Sequence, residues 1–410
     1  MAQAAGDQVG LARRVKAPLG LVVMLGALSA FGPVSIDMYL PALPAIARSL
    51  HGTATGAQLT LAAFLVGVAA GQLIYGPVSD RQGRRWPLLV GLALYLAASV
   101  GCILAATIPQ LIVFRVLQAL GGCAGMVIAR AIVRDRFAAN EVLHVFSQLS
   151  LVMGAAPILA PLVGGWVLLV GDWRWIFGVQ FLFAVLATAG VFLTLPESLS
   201  PEARRLARGE TALRSYWILL HNPRLMGYML AGAFSGAALF TYISCSPDVV
   251  IGYFHISAQN FGWVFGVNAV GLVAGTQANA RLARRVPYDQ ILRFANRCVL
   301  AAAGLLAIDA VSGFGGFFGI MIPLFLIVGG LGFNQANSMA GALNTDPARA
   351  GATSSLVGAG MFAVGASAAA LAGFLRDGTP RPMALVILGT VAIAFVSLYV
   401  LVKPARGGPK

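Results

Sequence analysis

The chain is written in long apolar runs separated by short polar breaks. A helix crossing roughly 30 Å of hydrocarbon needs about 20 mostly apolar residues. Twelve such runs occur, at 18–42, 58–78, 87–107, 109–131, 143–170, 174–195, 224–246, 260–280, 290–312, 316–340, 352–374 and 382–402. Some are parted by only a turn, as where Ala106–Gln110 (ATIPQ) divides the third from the fourth. The longest polar segment, Pro196–Arg224, divides the runs six and six. The expected fold is an all-α membrane protein of twelve transmembrane helices in two pseudo-symmetric six-helix bundles. Its expected parts are a cytoplasmic tail (1–17), a first bundle (18–195), a linker lying on the membrane (196–223), a second bundle (224–402) and a second cytoplasmic tail (403–410).

Composition supports the bilayer. Of 410 residues, 59% are apolar and 10% are charged, against about 25% charged in soluble domains. A net charge of +14 does not point to nucleic acid, because the basic residues fall in short clusters between the runs. With the N-terminus inside, 22 of the 28 basic residues lie in inner segments, and only Arg48, Arg174, Arg376 and Arg381 lie outside. That bias sets the expected orientation, with both termini cytoplasmic. The three lysines follow no glycine-rich loop, so there is no phosphate-binding motif for ATP hydrolysis. Four single cysteines read as small buried hydrophobes, and four scattered histidines suggest no metal.

Three stretches carry chemistry. Gly76–Arg85 (GPVSDRQGRR) joins the second and third spans by a very short turn. Gly83 can take the backbone angle such a turn needs, Asp80 can sit at a helix end, and the arginines can pair with acids such as Asp135. The fourth span holds Arg115 in LIVFRVLQALGG, either snorkelling outward or buried. The fifth span holds GAAPILAPLVGG, where Pro157 and Pro161 each remove a helix hydrogen bond and Gly154, Gly164 and Gly165 allow close approach. Weak similarity between Gly71–Arg85 and Gly275–Gln290 suggests that the halves repeat.

Asp37 interrupts the first run, with no other Asp, Glu, Lys or Arg between Lys16 and Arg48. That run is too long for one straight crossing, so Asp37 lies at the midplane or in the outer half. Two readings stand: a structural carboxylate at a kink, or a titrating one facing a cavity, where shielding from water favours the protonated form. Tyr39, Gln58, Gln118, Asn268, Asn334, Gln335 and Asn337 are candidates for a substrate cavity and also for interhelical glue. Phe240 can offer an aromatic face to a ligand. Asp309 is the other carboxylate well inside a span.

The GxxxDRxGRR loop looks like the signature loop of the major facilitator superfamily, where it is a cytoplasmic gate latch. That resemblance assigns gating to Gly76, Asp80, Arg81, Gly83, Arg84 and Asp135. The fourth-span pattern is similar to the superfamily's, which links Arg115 to proton transfer in proton-coupled members. The fifth-span pattern resembles the antiporter motif, although Ala156 stands where that motif has glycine before proline. SIDMYLPALP, GQLIYGP and TSSLVGAG together resemble the bicyclomycin/chloramphenicol resistance family of drug:proton antiporters. The resemblance implies efflux of small-molecule drugs across the bacterial inner membrane, with proton coupling at Asp37. It implies no cofactor beyond the proton gradient, and a monomer in the lipid bilayer. The rival carrier reading is a uniporter or importer of a small nutrient or metabolite. An intramembrane enzyme would need a converging catalytic set, and none is evident.

Overall fold

The structure is a computed structural model describing residues 19–137, 139–206 and 212–402. Most of the predicted tails, with Arg13, Arg14, Lys16, Lys403, Arg406 and Lys410, lies outside those residues. Twelve long helices are present among them. We number these α1 (Leu19–Ile36), α2 (Ala54–Gln82), α3 (Arg85–Leu104), α4 (Ile108–Arg136), α5 (Ala139–Val170) and α6 (Arg174–Thr194). The second six are α7 (Pro223–Pro247), α8 (Ala258–Leu282), α9 (Tyr288–Ser312), α10 (Gly316–Thr345), α11 (Ala350–Phe374) and α12 (Arg381–Leu401).

The helix starts follow from capping. Thr53 Oγ1 accepts from Gly56 N at 3.0 Å, and Asn222 Oδ1 from Arg224 N at 3.1 Å and Leu225 N at 3.2 Å. Ser257 Oγ accepts from Asn260 N at 3.3 Å. Each cap supplies an acceptor to the unpaired donors of a first turn. Most helices outrun their apolar cores by a turn, which is why α2 reaches Gln82 beyond the expected 78.

Eleven segments are long and apolar enough to cross a membrane, and α8 is not among them. Its faces nevertheless divide as a crossing requires. Trp263, Val267 and Val270 are exposed, while Asn268 and Asn279 are buried. The apolar face meets lipid and the polar face meets protein. Trp86 and Trp217 are exposed near one end of the bundle, and Trp166, Trp175 and Trp263 near the other, the positions of two interfacial aromatic belts. The first end, where α2 turns into α3, also carries most of the arginines and is called the arginine-rich end below. Three of the four cysteines are buried, as expected, but Cys298 is exposed.

Helices α1–α6 pack among themselves, as do α7–α12, and the pairing repeats: α2 lies on α4 as α8 lies on α10. The halves meet mainly along α2–α11 and α5–α8. Small residues make the second seam tight. A Cβ at Gly165 would lie 2.9 Å from the Ala258 carbonyl oxygen and one at Gly262 2.9 Å from the Leu162 backbone, while one at Gly164 would strike the Met38 carbonyl at the end of α1, within the first half. Helix α5 runs unbroken past Pro157 and Pro161.

Gly164→Ala is therefore expected to overpack the contact between α5 and the end of α1 and destabilise the protein by about 1–3 kcal/mol. Gly266→Ala, whose added methyl would meet Ile158 at an ordinary 3.5 Å, serves as control. Thermal unfolding of both variants in detergent checks the difference.

Candidate functional site

Helix α1 stops early. Pro41 and Pro44 have no N–H to donate, and each disfavours helical geometry in the residue before it. The chain turns at 37–39, makes a 3-10 turn at Leu40–Ala42 and resumes as a short helix at Leu43–Ser49. Asp37 stands at this break, about 27 Å along from Leu19 at 1.5 Å per residue, hence in the half away from the arginine-rich end. Asp37 is buried, and its carboxylate makes no hydrogen bond or ion pair among the described residues. The neighbouring polar group comes from the other half. Tyr242 of α7 lies within electrostatic reach of Asp37 and accepts from Asn268 Nδ2 of α8 at 3.0 Å. Its ring stacks on Phe265.

The break leaves the last carbonyls of α1 without helical donors. Arg115 Nη2 donates to Ser35 O at 3.0 Å, and Gln180 Nε2 to Val34 O at 3.1 Å. Gln118 joins the two, accepting from Arg115 at 2.7 Å and donating to Gln180 at 3.1 Å and Ser99 at 2.9 Å. Arg115 is fully buried and does not snorkel. No carboxylate pairs with it among the described residues. The faces of Tyr39 and Phe64, with centroids 4.5 and 4.2 Å from its guanidinium carbon, take that role. Arg115 thus meets Asp37 only through the carbonyl two residues before it.

At the arginine-rich end, Arg84 donates to Asp80 at 2.5 Å, Asp135 at 2.8 Å and Ser79 at 2.9 Å. Gly83 has φ +98°, a left-handed value that glycine tolerates. A side chain there would strike Arg204 and Glu197. Glu197, which the sequence did not single out, accepts from Arg84 N at 2.9 Å and Arg85 N at 3.2 Å, and pairs with Arg204 at 3.1 Å. Burial disfavours its charge, but these backbone donors and Arg204 prevail and hold its carboxyl below the ordinary value. Gly76 leaves room for Ser355 of α11, and Asp80 and Arg81 line a pocket of about 250 Å³ with Arg349.

The opposite end is closed by a second polar cluster. Asp248 ends α7 and accepts from Arg376 at 2.8 Å and from Gln58 of α2 at 2.5 Å, while Thr55 donates to Gly373 O at 2.9 Å. Asp309 accepts from Gly315 N at 2.6 Å and caps the turn after α9.

Between the two ends, on the arginine-rich side of the middle, lies a cavity of about 370 Å³. It is lined by Ser29, Gln72, Gln335, Phe362, the methionines 126, 153, 339 and 361, and Arg130. Of the residues expected to line a cavity, Gln335 is in this wall; the others lie elsewhere, Asn337 bonding Asn279 at 2.7 Å. Tyr39 bonds Thr60 at 2.7 Å, and Gln118 belongs to the Arg115 network. Gln58 is in the Asp248 cluster, and Asn268 holds Tyr242. Asn334 bonds Asn296 and Ser235, and Phe240 packs on Phe362 just behind the wall. Amides buried between helices find partners in one another, because an unpaired one is costly.

The profile of the Major Facilitator Superfamily matches residues 23–370. The chain belongs to that superfamily. It is a membrane transporter, not an enzyme. A bicyclomycin resistance protein homolog of Haemophilus influenzae is 31% identical over 93% of the transporter and 95% of its own length. A chloramphenicol resistance protein of Pseudomonas aeruginosa is 31% identical over 78% of the transporter and 75% of its own length. The fold is that of the xylose transporter XylE from E. coli, solved in a partially occluded inward open conformation. The TM-score is 0.71 at 14% identity, covering 96% of the transporter and 99% of XylE.

Removing the Glu197 carboxylate takes the acceptor from four backbone donors, those of Arg84, Arg85, Ser198 and Leu199. Glu197→Ala is expected to destabilise the transporter by about 1–3 kcal/mol, whereas Glu202→Ala, at an exposed site, changes little. A depressed carboxyl contributes in full above its ordinary value of 4.5 and loses that contribution as pH falls through the lower folded value. Thermal unfolding of both variants and the wild type across neutral and acid pH checks both statements.

Proposed function

We propose that the transporter exports small-molecule drugs across the bacterial inner membrane in exchange for protons, by alternating access. The observation that carries this reading is Asp37, a buried carboxylate without an ionic partner at the break of α1, where both halves converge. The names of the two bacterial relatives support the substrate class. The arginine-rich end is the cytoplasmic one, in keeping with the distribution of basic residues, and both termini lie on that side.

In this reading the described conformation has its cavity in the cytoplasmic half and its outer end shut. Two contacts shut it: the Asp248–Arg376–Gln58 cluster and the glycine seam between α5 and α8. An ionised Asp37 is disfavoured where it is buried and favoured where water reaches it. Opening outward hydrates Asp37 at its own end of α1. Proton uptake from outside then makes re-burial permissible. The Asp80–Arg84–Asp135 cluster, braced by Glu197, lies within the first half and is formed in the described conformation; it holds the α2–α3 turn in the shape that latches the cytoplasmic end when that end closes. Arg115 and Gln180 hold the carbonyl end of α1 in shape through the cycle. Gating by Gly76, Asp80, Arg81, Gly83, Arg84 and Asp135, and sealing by the fifth-span glycines, belong to the same proposal.

The test is reconstitution in liposomes with an internal pH dye, with chloramphenicol and bicyclomycin added to wild type and Asp37→Asn. Drug-evoked proton movement in the wild type, lost in the variant while drug counterflow persists, is the expected result. Equal proton movement in both sinks the coupling role of Asp37. Drug flux with no proton movement in either favours the uniporter.

A further inference from the structure

The cavity contains a charge that the transport reading leaves unused. Arg130 lies on α4, six residues from its end, with its side chain exposed into the cavity. Nε donates to Met126 O at 3.1 Å, and no carboxylate pairs with the guanidinium among the described residues. The charged group within its electrostatic reach, Arg134, is also cationic. No Asp or Glu lines the cavity. Asp135, five residues on, is engaged by Arg84 and Ser198, and Asp37 is not among the lining residues.

We propose that Arg130 is the specificity-determining residue of the cavity and selects amphiphilic organic anions, carboxylates foremost, while rejecting lipophilic cations. The inference rests on the cavity being the substrate site. A guanidinium is charged at every accessible pH and offers a planar fork that matches a carboxylate in two parallel hydrogen bonds. A cation entering the cavity would be stripped of water beside a like charge with no acid to compensate it. The remainder of the wall is forgiving. Met126, Met153, Met339 and Met361 are flexible and polarizable, so one wall accepts apolar bodies of several shapes. Gln72 and Gln335 add neutral polar contacts. The volume, about 370 Å³, lies at the small end of the usual range for ligand pockets, roughly 300–1,000 Å³, and suits a compact aromatic acid.

Binding is measured on the purified full chain by equilibrium dialysis, independently of transport. The probes are 2-naphthoate, tetraphenylphosphonium and chloramphenicol, against wild type, Arg130→Gln and Arg130→Lys. The expected result is naphthoate binding by wild type that weakens about tenfold or more in Arg130→Gln, a loss of the size of one charge-assisted pair, and recovers in part in Arg130→Lys. Tetraphenylphosphonium should behave oppositely, binding only Arg130→Gln. Chloramphenicol, uncharged, should lose less affinity than naphthoate in Arg130→Gln, and unchanged thermal unfolding of the three proteins marks an intact fold. Naphthoate binding that is absent in wild type or equal in Arg130→Gln overturns the proposal, as does tight tetraphenylphosphonium binding by wild type. Counterflow of the same probes into liposomes separates the two readings. Selective binding without flux would refute efflux and leave the role of Arg130 intact.

Discussion

The early end of α1 is the constraint on which the site depends. Two prolines stop the helix inside the bilayer, and carbonyls left without donors in hydrocarbon are costly. Arg115 and Gln180 supply those donors from α4 and α6. Because the arginine has no carboxylate beside it, aromatic faces must stabilise its charge, and Tyr39 is placed to do so by the same break. The break also exposes the Met38 carbonyl to α5, which only glycine at position 164 allows. Asp37 is thus held by everything around it except a partner of its own.

The two halves touch along two seams that differ in character. The α5–α8 seam is built from backbone pressed on backbone at Gly165 and Gly262. The α2–α11 seam carries polar contacts at its ends, with Thr55 and Gln58 near one and Gly76 against Ser355 near the other. Polar contacts at opposite ends can be made and broken in turn while the middle stays packed. Two interconverting states require that kind of discrete arrangement.

The sequence made the helices, the repeat and the motif residues legible, since each rests on composition or on a spacing that physics restricts. Gly83 was readable because a two-residue turn demands its conformation, and Arg84–Asp135 because charges at helix ends need partners. The cavity was not readable. When nearly every position in a span is apolar, pattern does not say which face turns inward, so Met126 and Met361 look like lipid-facing residues. Polar residues mislead in the other direction: Asn334 and Gln118 look like cavity groups and are spent on polar partners in neighbouring helices. Glu197 hid in a linker read as solvated. Asp248 fell just beyond the expected end of its span, because the helix widens into a π turn at Asp248–Tyr253 and runs on.

Helix α7 ties these levels together. Gly232 lines the cavity, Tyr242 faces Asp37, and Asp248 binds Arg376 and Gln58. At 1.5 Å per residue they lie about 15 Å and then about 9 Å apart. Asp37 and the cavity are therefore separate sites, and in the proposed exchange the ligand and the proton would not compete for one group. Three helices link them: α7 touches the cavity, the carboxylate and the outer cluster, α1 runs from Ser29 in the cavity wall to Asp37, and α2 carries Gln72 in the wall and Gln58 in the outer cluster. A change of charge at Asp37 alters the balance between states only insofar as the two states bury it differently. The break in α1 meets that condition, since it places the carboxylate at the level where one state seals and the other admits water.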